Sequence, residues 1–151
     1  MNLKTFAKLV LFFANNTKTR LYKTKLNKLL FYTQFLFYKK YEQDLLNTDF
    51  VCDYFGPVIE DIDSYLENIE EKGLIKIEST TYGKYINPVY KLSEDAYSQE
   101  ELFVLNKVAE QFSDFSSSEI SKYSHDEILW IDTDLKNIIP LKDAYKLNEF
   151  K

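Results

Sequence analysis

Thr24-Lys25-Leu26-Asn27-Lys28-Leu29-Leu30-Phe31-Tyr32-Thr33-Gln34 runs for eleven residues without a glycine, a proline or a carboxylate. Leu26, Leu29, Leu30 and Thr33, continued by Leu36 and Phe37, recur at helical spacing. The spacing predicts a helix over 25–41 with Thr24 as its N-cap. Phe31, Tyr32, Phe35 and Tyr38 widen the apolar stripe almost all round. A helix that is apolar on most sides is either central in a fold or covered by a partner. Phe31, Phe35 and Tyr38 are therefore candidate anchors for a partner, with core packing as the competing reading.

The neighbouring segments have shorter-range signals. Leu3, Phe6, Leu9, Val10 and Phe13 predict an amphipathic helix over 2–14, broken by Asn15-Asn16-Thr17. Phe50 to Phe55 reads as a short strand or extended turn. Gly56-Pro57 ends it, and Pro57 fits the first turn of a helix over about 58–72. That helix would bury Ile59, Ile62, Tyr65, Leu66 and Ile69 and stop at Gly73 as its C′ residue. Residues 74–78 and 86–92 alternate apolar and polar around Tyr82-Gly83, which predicts a β-hairpin. Ser98 and Glu101 form a capping box that opens a helix over 99–112. Ser116 and Glu119 repeat it for a short helix ending near His125. Residues 126–139 read as helix or turn, Pro140 breaks the chain, and 141–150 suggest a last short helix. The expectation is one domain over 1–151, mainly α with a small β-hairpin or sheet (α+β).

Charge is distributed unevenly. Residues 1–41 contain nine Lys/Arg and no Asp or Glu, whereas residues 42–151 carry 10 basic and 24 acidic side chains. Such asymmetry suggests an electropositive patch for an anionic partner. Lys18, Arg20 and Lys23 are its clearest members. Cys52 is the single cysteine, which excludes an internal disulfide framework and points to the cytoplasm. No run approaches the 18 or so apolar residues of a membrane span.

The usual catalytic and cofactor signatures are missing. Gly56, Gly73 and Gly83 lie too far apart to form a phosphate-cradling loop. One Cys and one His fall short of the Cys/His set of a zinc site, and although carboxylates alone can hold a metal, the acidic pairs read as helix surfaces. No metal or other cofactor is expected, and no catalysis. Cys52 and His125 have the right chemistry for a nucleophile and its base, but nothing in the sequence joins them. A buried structural thiol, and a helix-terminal histidine bonded to a nearby carboxylate, are the plainer readings. Trp130 reads as a core anchor.

The run Tyr65 to Ile77, a helix leading into a hairpin, resembles a winged-helix core. A recognition helix has to approach phosphates. This one carries Glu60, Asp61, Asp63, Glu67, Glu70 and Glu71 against Lys72 alone. If nucleic acid were bound, Lys18, Arg20, Lys23, Lys25 and Lys28 would be the contacts. Their plainer reading is a solvated face.

Four blocks in order resemble the Panacea-domain proteins, the SocA-like antitoxins. Thr24 to Gln34 is similar to that family's K-L-x-K-L-L-Y-Y-A-Q helix. Asp53-Tyr54-Phe55-Gly56-Pro57-Val58 is similar to its Y-G-P-V turn. Leu92-Ser93-Glu94 precedes the helix beginning Glu100-Glu101-Leu102. Phe115 to Ile120 and His125 to Trp130 resemble L-S-x-x-E-L-S-x-x-T-H-x-E-x-x-W. The resemblance implies structural roles for Lys25, Leu26, Leu29, Leu30, Gln34, Gly56, Pro57, His125 and Trp130. Phe55 and Thr33 stand where the family usually has Tyr and Ala. Many relatives add a helix-turn-helix domain. None is expected here, which argues against transcriptional autoregulation.

The resemblance further implies an antitoxin. Its partner would be a cognate toxin encoded beside it, bound in a hetero-oligomer with the toxin's active site covered. Small alarmone-synthetase-like pyrophosphokinases are one toxin class paired with the family. Besides the second helix, expected contacts are the hairpin tip, Tyr82, Lys84 and Tyr85, and the acidic residues Glu60, Asp61, Asp63 and Glu67 as phosphate mimics. The alternative roles are a prophage-associated adaptor or host-factor-binding protein and, more remotely, a winged-helix-like DNA-binding protein.

Overall fold

A single central helix, α2 (Lys23–Tyr41), organises the molecule. In the computed structural model, which describes Met1–Lys151, every residue of this helix from Lys25 to Phe35 is buried. That matches a stripe that is apolar nearly all round. Helices α1 (Leu3–Asn15), α4 (Gln99–Phe112) and α5 (Ser117–Ser124) pack on it. Thr24 is not the N-cap. Strand β1 (Leu21–Tyr22) runs straight into the helix, and Tyr22 occupies the capping position without a side-chain bond. Pairing of β1, and not a local cap, sets the start.

Two small sheets flank the helices. Strands β4 (Ile75–Thr80) and β5 (Gly83–Pro88) form the expected hairpin, in register from Ile75↔Pro88 to Thr80↔Gly83. Strand β1 adds to it through Leu21↔Ile86 and Tyr22↔Tyr85, giving the order β1-β5-β4. The second sheet is β2 (Val51–Asp53) paired antiparallel with β3 (Gly56–Val58). Pro57 therefore lies in a strand opposite Cys52, not in a first helical turn. The following helix, α3, is shorter than its sequence suggests, Ile62–Glu71. Its end follows the glycine signal. Gly73 has φ +78°, its N–H donates to Glu70 O, and Leu74 N donates to Ile69 O. This is a Schellman closure.

Residues 126–139 are mostly irregular. One helical turn, α6 (Ile128–Ile131), is followed by a run beside β2. Lys136 N donates to Cys52 O at 2.7 Å, Cys52 N to Asn137 O at 2.9 Å and Ile139 N to Phe50 O at 2.8 Å. The tail forms 3₁₀ turns over Leu141–Lys146. Both capping boxes, Ser98 with Glu101 and Ser116 with Glu119, form reciprocally at α4 and α5. No helix is long and apolar enough to cross a membrane.

Candidate functional site

Lys25 and Lys28, at i and i+3 on α2, point inward. Neither belongs to a solvated face or an exposed phosphate site. Lys25 Nζ donates to Thr17 Oγ1 and Thr19 Oγ1, both at 3.2 Å, and to Ser113 O at 3.3 Å. It lashes the loop after α1 to the end of α4. Lys28 Nζ is buried without a partner. Burial pulls each amine down to about 8, and nearby carboxylates only partly oppose that shift. Gln34 holds the loop after α2. It donates to Asp44 Oδ1 at 2.6 Å and accepts from Leu46 N at 2.9 Å. Leu26, Leu29 and Leu30 are core.

The remaining motif residues converge on one turn, Asp53-Tyr54-Phe55-Gly56. Gly56 has φ +113°, and a Cβ there would lie 2.6 Å from Lys28 Cε and 2.5 Å from Ser124 Oγ. Only glycine suits both the backbone and the space. Trp130 Nε1 donates to Asp53 O at 2.9 Å, and Ser121 Oγ donates to Phe55 O. Lys136 Nζ pairs with Asp53 Oδ1 at 3.2 Å. The Tyr54 N–H and Lys136 hold the Asp53 carboxyl below the ordinary range. His125 stacks on Trp130, with centroids 4.2 Å apart. Its Nε2 is buried without a partner, so stacking and not a bond from that nitrogen to a carboxylate secures it. The result is a cradle that presents Tyr54 and Phe55, 69% and 64% exposed.

Behind the cradle, Glu127 is fully buried. It accepts from the Tyr32 hydroxyl at 3.0 Å and from Asn148 N at 2.9 Å. Burial, partly offset by those bonds, raises its carboxyl above the ordinary value, and burial beside Glu127 pushes the Tyr32 phenol far up. Cys52 and His125 both touch Trp130 but share no hydrogen bond. The Cys52 thiol contacts Trp130 O at 3.6 Å, and burial pushes it up, away from the reactive thiolate.

The expected contact residues separate. Phe31 and Phe35 are completely buried against each other and Phe50, so they cannot anchor a partner without unfolding α2. Tyr38 is half-buried on the core. Tyr82 is 87% exposed and Lys84 is exposed, but Tyr85 is half-buried under Arg20, whose guanidinium lies 4.6 Å from its ring. Glu60, Asp61 and Glu67 are exposed. Asp63 is paired with Lys23 at 3.0 Å, so the basic segment meets the acidic helix of its own chain. Lys18 pairs with Asp114 at 3.4 Å on the surface. The patch Lys18, Arg20 and Lys23 is thus largely spoken for internally.

Sequence reasoning missed the exposed apolar group near the cradle: Tyr54, Phe55, Ile131, Leu135 and Ile138. Ile131, Leu135 and Ile138 follow i, i+4, i+7 spacing, which reads as the buried face of a helix, but α6 ends at Ile131 and the run after it is irregular. The short polar run Asp132-Thr133-Asp134, which favours turns over helix interior, was the available signal against a continued helix.

A family model described as "Antitoxin SocA-like, Panacea domain" matches residues 26–131. No curated protein and no solved structure matches the chain.

Proposed function

The chain belongs to the SocA-like Panacea-domain antitoxins, and on that footing we propose that it neutralises a cognate protein toxin by binding it directly and covering its active site. The observation that carries this reading is the family match, which spans the central helix, the cradle and α4 to α6. The mode of action is contact, not catalysis. The lone thiol is buried and biased toward its protonated form, which suits a structural role. The cytoplasm is the compartment that suits such a pair.

A toxin that handles nucleotide phosphates has a cationic site. Glu60, Asp61 and Glu67 are free to face it, whereas Asp63 is held by Lys23. Asp63, Glu67 and Glu71 follow i, i+4 spacing along the outer face of α3, so carboxylates occupy the position a recognition helix would need for DNA. Tyr82 and Lys84 at the hairpin tip supply a second exposed contact.

The test is co-expression with the product of the adjacent open reading frame. Growth arrest by that product alone, relief by this chain, and co-purification of the two would support the reading. Relief without a complex would refute direct binding. A fall in the half-life of the bound protein would assign an adaptor role instead.

A further inference from the structure

We propose that the strip formed by Tyr54, Phe55, Ile131, Leu135 and Ile138 is the central contact with the toxin, and that it fits an apolar cleft bordered by lysines and arginines. This inference rests on the antitoxin reading above. Large exposed hydrophobics are concentrated here. Of the eleven on the molecule, seven lie in the turn 54–55 or in the segment 128–145. Scattered exposed apolar residues need no explanation, but a group of this kind marks an interaction surface.

The strip is held in place by its backbone. Trp130 and Lys136 fasten the segment to Asp53 on one flank of the turn, and Ser121 holds Phe55 O on the other. Lys136, Asn137 and Ile139 are bonded to Phe50 and Cys52. A backbone already fixed in the free protein needs no ordering on binding, which suits the side chains it carries as anchors.

Charge selects the occupant. Ile138 stands between two grooves. One is walled in part by Asp132, Asp134 and Asp143, the other by Asp49, Glu60 and Asp61. Lys146 is the one basic side chain in either wall. Nucleic acid and anionic membranes would be repelled. A second copy of this chain would set the same carboxylates against each other in a two-fold contact. A basic protein surface satisfies both the apolar crest and its rim.

The experiment uses the full chain with its co-expressed toxin. Tyr54→Ser with Phe55→Ser should weaken binding at least about 100-fold and abolish growth rescue, with the melting temperature unchanged. Asp132→Lys with Asp134→Lys should slow association and flatten its salt dependence. Hydrogen exchange on the wild-type complex should show protection at 54–55 and 131–138, which needs no variant. If the wild type binds, but both variants bind within twofold of it and these amides stay unprotected, the strip is not the contact. If the wild type itself neither binds nor rescues, the antitoxin reading falls and this inference with it.

Discussion

The Tyr32 hydroxyl donates to Glu127 Oε2 at 3.0 Å across 95 positions of sequence, joining the centre of α2 to the start of α6. The other carboxylate oxygen accepts from Asn148 N, so one buried acid ties the core to the C-terminal tail. Tyr32→Phe should cost about 1–3 kcal/mol, because it leaves a buried carboxylate oxygen unsatisfied. Burial raises the Glu127 carboxyl above its ordinary 4.5. The folded state then keeps a proton that the unfolded chain gives up, so this group's contribution to stability falls as pH climbs from 4.5 through the folded value and is level above it. Glu127→Gln should remove that slope. Urea midpoints of wild type and variant between pH 4 and 7 check it, and parallel curves would refute it.

Lys28 contributes with the opposite sign. Its amine is unpartnered and is pulled by burial from 10.5 to about 8. Between those values the unfolded chain holds more protons, so the destabilisation is full below about pH 8 and is relieved as pH rises toward 10.5. Lys28→Met should stabilise the fold at pH 7 by roughly 1–3 kcal/mol, with the gain shrinking by pH 10. Thermal melts at the two values would show it. A loss of stability at pH 7 would mean that the amine has an essential partner.

Gly56 and Gly83 end two-residue hairpin loops with similar backbones, φ +113° and +120°. Alanine is strained at both. Only at Gly56 would its Cβ also strike Ser124 and Lys28, whereas nothing lies within 4 Å at Gly83. Gly83→Ala should cost about 1 kcal/mol and Gly56→Ala about twice that or more. Chemical denaturation of the two variants measures the difference, and equal costs would remove the cradle's steric role.

Phe31→Ala or Phe35→Ala should each destabilise the protein by about 3–5 kcal/mol by opening a core cavity. Any loss of neutralisation would then track loss of fold, visible as a lowered melting temperature.

Tyr82→Ala with Tyr85→Ala should weaken neutralisation while changing stability far less, since Tyr82 stands clear of the core. Tyr85 carries the Arg20 and Tyr22 contacts, so Tyr82→Ala alone is the cleaner probe. Full rescue of toxin-expressing cells by the double variant would exclude the hairpin tip from the interface.

Features settled by residues close in sequence were legible from the residues alone. The capping boxes at Ser98 and Ser116, the stop at Gly73, the turn at Tyr82-Gly83 and the all-round stripe of α2 each act within a few residues. The family motifs were legible for the same reason. Features settled by distant partners were not. Pro57 is in a strand because Val51–Asp53 pairs with it, and Leu21–Tyr22 is a strand because β5 is beside it. Lys25 and Lys28 look like surface lysines until α4, α5 and the Asp53–Gly56 turn close over them. The exposed strip beside that turn carries a helical spacing, i, i+4, i+7 over Ile131, Leu135 and Ile138, that the fold does not use, because its position comes from hydrogen bonds to Phe50, Cys52 and Asp53. Helical period and capping are properties of a local stretch of chain. Burial of a charge, and exposure of an isoleucine, depend on what the rest of the chain brings alongside.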